Sequence, residues 1–124
     1  MANSWQQPVA GEPQLGQPHL HYNELVNTDP AATGWTAVDC SGQIPVGSTL
    51  IGGHCHLTAT DAGSEVTFHL ATSGTEYMDI DTQVANQEIC KFFIIPVTSS
   101  RTFTYYISNS NISNITIQMT LYWC

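Results

Sequence analysis

His54 and His56 flank Cys55 in the run GGHCHLTAT. In an extended strand, residues two apart leave the same face, so the two imidazoles emerge side by side. His69 lies beyond the turn Asp61-Ala-Gly63 and shares the parity of Glu65 and Thr67, which also points it outward. Read as one hairpin, His54, His56 and His69 form a candidate zinc or copper site built from neutral imidazole nitrogens. The competing reading is three ordinary surface histidines, or a stack at a subunit contact. His19 and His21 are a second, weaker pair of the same kind. Glu76, Asp79 and Asp81 cluster near one loop, where carboxylates could hold calcium or, more simply, be solvated. No GxSxG, no HExxH and no phosphate-cradling glycine loop is present, so neither catalysis nor a cofactor is expected.

Four cysteines, Cys40, Cys55, Cys90 and Cys124, allow three disulfide pairings, and none sits in a CxxC. Disulfides among them would suit an oxidising compartment. Met1-Ala-Asn-Ser opens no charged and apolar leader, so the sequence reads as a mature form or as a protein oxidised after release. Asn111-Ile-Ser113 and Asn114-Ile-Thr116 match the glycosylation acceptor pattern, which matters only on a glycosylating secretory route. Tyr106 and Tyr122 fall on the outward parity of their strands, where rings could stack on sugars.

The elements that must carry these residues are strands. From Ile115 the odd positions Ile115, Ile117, Met119, Leu121 and Trp123 are apolar, and the even positions are mostly polar. That alternation predicts a long closing strand with one face on a core. Earlier strands are predicted over Trp35–Cys40, Thr49–Thr60 with a bulge or close approach at Gly52-Gly53, Ser64–Ala71, and a short edge at Tyr77–Ile80. Phe92, Phe93, Ile94 and Ile95 leave Gln87–Val97 no polar face, which marks it as the most buried strand, with Pro96 where it meets an edge. Phe103, Tyr105 and Ile107 repeat the alternation. Six to eight short strands with no helical period predict an all-β fold, an antiparallel β-sandwich or jelly roll over residues 35–124.

Residues 1–34 read differently. Four of the six prolines stand here, at Pro8, Pro13, Pro18 and Pro30, and proline cannot donate to a ladder. The stretch nevertheless carries Trp5, Val9, Leu15, Leu20, Tyr22, Leu25 and Val26, anchors for which a free linker has no use. It is predicted as an extended N-terminal arm that docks on a surface, its own or a neighbour's, with HLHYNELV most able to add an edge strand.

Charge narrows the partners. The chain of 124 residues carries ten acids against Lys91 and Arg101, a net charge of −8, and only 10% charged residues. Nucleic acid requires a basic patch, and an anionic bilayer surface is disfavoured on the same ground. No apolar run approaches the length of a membrane span.

The stretch GWTAVDCSGQIPVGSTLIGGHCHLTATDAGSEVTFHL resembles small β-sandwich modules of phage tail fibres and of related virion-surface or extracellular appendage proteins. Trp35, Val38 and Asp39, the turn at Pro45, Val46 and Gly47, and the terminal Leu121-Tyr122-Trp123 carry it. The cysteines and the His54–His56 segment depart from that pattern, and residues 1–34 have no counterpart in it. The resemblance implies an oligomer-forming structural role outside the cell or on a virion. The expected function is therefore a subunit that self-assembles into a filament or fibre through arm exchange between copies of itself. A carbohydrate-binding module or lectin, with glycans as partners, is the alternative.

Overall fold

A computed structural model describes residues 17–28 and 33–124. The described residues form eight strands: β1 Pro18–Thr28, β2 Gly34–Asp39, β3 Leu50–Ala59, β4 Glu65–His69, β5 Glu76–Asp81, β6 Ile89–Pro96, β7 Thr102–Ile107 and β8 Ile112–Trp123. They form two four-stranded antiparallel sheets, ordered β1-β8-β3-β6 and β2-β7-β4-β5. That interleaving, with sequential strands crossing between sheets, is the jelly-roll order. The all-β sandwich expected from the alternation is what the chain adopts. Among the described residues only β4 and β5 are a sequential pair joined side by side.

The core lies between the sheets. Val66, Phe68, Ile80, Phe103 and Ile107 face Ile51, Cys55, Leu57, Phe93, Ile95, Ile115, Ile117 and Met119, all essentially inaccessible to water. Phe68 of β4 meets Phe93 of β6 edge-on, with centroids 5.1 Å apart, and tilts against Phe103 at 5.7 Å. Burying each such ring contributes on the order of 2–3 kcal/mol, which is why the alternating residues commit their strands to this geometry.

Parity carries the closing strand only part of the way. Ile115, Ile117 and Met119 are buried as expected. The register then shifts, with Gly52 opposite Leu121 but Gly53 opposite Met119, so Thr120 is an extra residue. Such a bulge turns the following side chains over. Tyr122, expected outside, packs against the core, while Leu121 and Trp123 lie on the outer face and are half-buried. The expected close approach at the glycine pair is present: a Cβ on Gly53 would collide with the Gln118 carbonyl, and one on Gly52 would stand 2.6 Å from Leu121 Cδ1.

Three further expectations are corrected. Asp61-Ala-Gly63 does not close a hairpin: β3 and β4 belong to different sheets, so the turn is a corner of the sandwich. The run Phe92–Ile95 is an edge strand, with Phe93 and Ile95 buried but Phe92 and Ile94 48% and 49% exposed. The expected edge strand at HLHYNELV forms, but on the chain's own sheet: Pro18–Thr28 is β1, laid antiparallel on β8, so this part of the expected arm belongs to the sandwich. Its ladder is shifted between Leu20 and Asn23 and again between Glu24 and Val26, which lets Leu25 and Val26 pack on the core. Trp5, Val9 and Leu15 lie outside the described residues.

Candidate functional site

Sheet β1-β8-β3-β6 has an outer face in two halves. Cross-strand register aligns Leu20, Leu121, Gly52 and Ile94 in one row, and Pro18, Trp123, Leu50 and Pro96 in the next. Directly opposed residues share a face, so these side chains form one apolar corner. Leu20 is 88% exposed there, and Phe92 extends the surface along β6. Toward the other end the rows turn polar: Gln118, His54 and Phe92, then Thr116, His56 and Cys90.

In that polar half, Cys90 of β6 stands opposite His56 of β3, with Sγ 3.7 Å from Nε2. On the far side of the ring, His56 Nδ1 is 3.1 Å from Glu88 Oε1. His54 lies 6.5 Å from His56 between ring centroids and meets Phe92 edge-on at 5.5 Å. The strand spacing thus does place His54 and His56 together. His69 is not with them. It sits on β4 in the other sheet, its Nε2 2.7 Å from Thr67 Oγ1 and its Nδ1 2.9 Å from the Gly74 carbonyl. The three-histidine site fails because the Asp61–Gly63 corner separates the sheets. Sequence reasoning offers Cys90 only as a disulfide partner and passes over Glu88, because neither lies on the histidines' own strand. A β3–β6 register, which sequence cannot supply, is what unites them.

The second outer face, on β2-β7-β4-β5, joins aromatic and acidic groups. Trp35 packs on Tyr106 at 4.8 Å and edge-on against His69 at 4.7 Å. Glu65, Asp79 and Asp81 place one carboxylate oxygen each within 4.8 Å of one another. Partial burial, then the hydrogen bond to Asp81 and the charges of Asp81, Asp79 and Glu76, raise the Glu65 carboxyl above its ordinary range. Glu65 and Asp81 are direct partners in the β4–β5 register, whereas Glu76, the residue expected to complete this group, is opposite His69.

The four cysteines are all thiols. No two of them are bonded to each other in this structure, where they occupy separate environments. Cys55 points into the core while Cys90, one register step away on the adjacent strand, points out. Cys40 is buried beyond β2, and the Cys124 sulfur lies 4.0 Å from Ser48 Oγ. Burial pushes the Cys40 and Cys55 thiols up to about 12, helped by the charges of Asp39 and Cys90 respectively. Of the acceptor asparagines, Asn111 stands at the turn before β8, where its backbone N–H is bonded by Asn109 Oδ1. Asn114 Nδ2 donates to the Thr28 carbonyl and ties β1 to β8. His19 and His21 both reach Tyr122, His19 stacked at 5.0 Å and His21 edge-on at 6.5 Å.

No family model matches the chain, and no curated protein matches it. Among solved structures it overlays a chain described as "Bacillus endospore appendages form a novel family of disulfide-linked pili", covering 94% of this chain and 97% of that one, at 17% identity and a TM-score of 0.44. An overlay that loose does not carry a function from one chain to the other.

Proposed function

We propose that the protein is a structural subunit that self-assembles into an extracellular filament or virion fibre, with the residues ahead of β1 running onto a neighbouring copy. The observation that carries this is the apolar corner formed by Leu20, Leu121, Ile94 and Phe92 on an outer sheet face. A contiguous greasy surface costs solvation free energy at about 25 cal/mol per Å2, and on a soluble protein it marks a place of association. The chain enters β1 at Pro18, in this same corner. Residues 1–16, with Trp5, Val9 and Leu15, are the segment we assign to this corner on the next copy.

Because β1 already occupies the β8 edge within its own chain, the segment assigned to the neighbour is residues 1–16. β6 is paired on one side by β3, so its other rim can receive an added strand, and the adjacent outward side chains Phe92 and Ile94 supply apolar contacts. Head-to-tail repetition of such a contact gives a ring or an open helix. A surface of hydroxyls and amides with few charges suits long exposure outside a cell.

The test is Leu20→Asp with Ile94→Lys, followed by electron microscopy and sedimentation. The reading expects folded monomers where the wild type forms assemblies. Undiminished polymerisation of the double variant contradicts it.

The outer face carrying Trp35 and Tyr106 beside Glu65, Asp79 and Asp81 favours a second reading, a carbohydrate-binding module. Aromatic rings stack on sugar faces, and carboxylates accept their hydroxyl hydrogens. Specific binding to a glycan array by monomers, lost in Trp35→Ala, would favour it over the filament.

A further inference from the structure

The polar half of the β3–β6 outer face has the parts of a metal centre that the three-histidine pattern does not describe. We propose that Cys90, His56 and His54 bind a thiophilic divalent cation of the zinc type, with Glu88 orienting His56. This does not depend on whether the chain forms filaments.

The geometry places two of the three donors and the carboxylate behind one of them. A tetrahedral zinc with about 2.3 Å to sulfur and about 2.0–2.1 Å to nitrogen sets its two donors about 3.5 Å apart. Cys90 Sγ and His56 Nε2 are 3.7 Å apart, so they already stand at chelating distance. Glu88 accepts from the Nδ1 side of His56 at 3.1 Å, which fixes the tautomer whose Nε2 lone pair faces the sulfur. A carboxylate behind a ligating histidine in this way is the usual support of a zinc imidazole. His54 leaves the same face of β3 two residues away, its ring centroid 6.5 Å from that of His56, so as placed it is the outlying donor, and it must turn from Phe92 when the metal binds. Thiolate plus imidazole is a soft, neutral-nitrogen donor set that selects zinc-like ions over calcium or magnesium. These donors lie in adjacent antiparallel strands of one sheet, which hold them in register without metal.

Binding releases the Cys90 thiol proton to solvent as the sulfur becomes a thiolate ligand, and neither partner changes oxidation state. Three protein donors leave the fourth tetrahedral position for water or for a group from outside the chain.

The test uses the reduced full-length protein, stripped with a chelator and titrated with Co2+ alone. The proposal expects a sulfur-to-cobalt charge-transfer band saturating at one equivalent and bleached by Zn2+. Cys90→Ser removes the band and Cys124→Ser keeps it. Glu88→Gln weakens binding about 10–100-fold while leaving the far-ultraviolet circular dichroism unchanged. Asp79→Asn with Asp81→Asn, on the other sheet, leaves the titration as it was. Absence of the band, or a band that survives Cys90→Ser, overturns the site and leaves Cys90 and His56 as a plain hydrogen-bonded pair.

Discussion

His19 stacks on Tyr122 across the β1–β8 ladder, with centroids 5.0 Å apart and planes 21° from parallel. That contact joins the start of the first strand to the end of the last, and it exists because the Thr120 bulge turns Tyr122 inward. The same bulge sends Leu121 and Trp123 outward, so one extra residue both secures β1 and builds the apolar corner.

Gly53 holds this arrangement. A Cβ there would meet the Gln118 carbonyl oxygen directly, and a main-chain atom in a paired strand has no room to retreat. Gly53→Ala is expected to lower stability by about 2–3 kcal/mol in urea denaturation, the cost of overpacking a filled site. Gly42→Ala, where nothing lies within 4 Å, is the control and should be nearly neutral. Equal midpoints for the two would refute the close approach.

Thiol chemistry should divide the cysteines two and two. With burial pushing Cys40 and Cys55 up to about 12, their reactive thiolates are scarce at neutral pH. Native reduced protein is expected to take up two equivalents of an alkylating reagent, at Cys90 and Cys124, and four after unfolding. Mass spectrometry of the peptides decides it, and rapid native labelling of Cys55 would contradict the buried placement.

Arg101 clamps the connection between β2 and β3. Its Nη1 donates to the carbonyls of Ser41 at 2.9 Å and Ile44 at 2.8 Å, and Cys40 N–H donates to its carbonyl at 2.8 Å. Charged donors to buried carbonyls are worth about 1.5–3 kcal/mol. Arg101→Ala should therefore lose about 2 kcal/mol in thermal or chemical unfolding, and Arg101→Lys should recover only part of it.

Glu65 gives a pH test with a definite sign. Its folded-state carboxyl is raised, so the folded chain holds this proton more tightly than the unfolded chain does. Its contribution is fully present below the ordinary glutamate value of about 4.3 and is lost as pH rises through the raised value. Glu65→Gln should match the wild type in Tm near pH 4 and exceed it modestly at pH 7. A Tm difference that ignores pH would show that the carboxylate group on β4 and β5 does not repel as placed.

How far the sequence could be read follows from what alternation encodes. Period-two patterning locates strands and an inner face, and Ile115, Ile117, Met119, Phe103 and Ile107 are buried as read. It counts through a bulge without seeing it, so Leu121, Tyr122 and Trp123 come out inverted. It also cannot say which sheet a strand joins. That is why alternation groups His69 with His54 and His56, and why Phe92 and Ile94 read as core rather than edge. The edge strand expected at HLHYNELV is present within β1, but the prolines obscure its bounds, since Pro18 stands at its first position and Pro30 lies beyond its end. The Cys90–His56–Glu88 grouping spans over thirty positions and becomes visible only in register.

The central claim is that copies of this chain join through residues 1–16 laid on a neighbour's apolar corner. Electron microscopy of the full chain beside a variant lacking residues 2–16, both shown folded by circular dichroism, tests it most directly. The account predicts filaments or rings from the full chain and dispersed monomers from the truncated one. Assemblies of the same kind and abundance from both would contradict it.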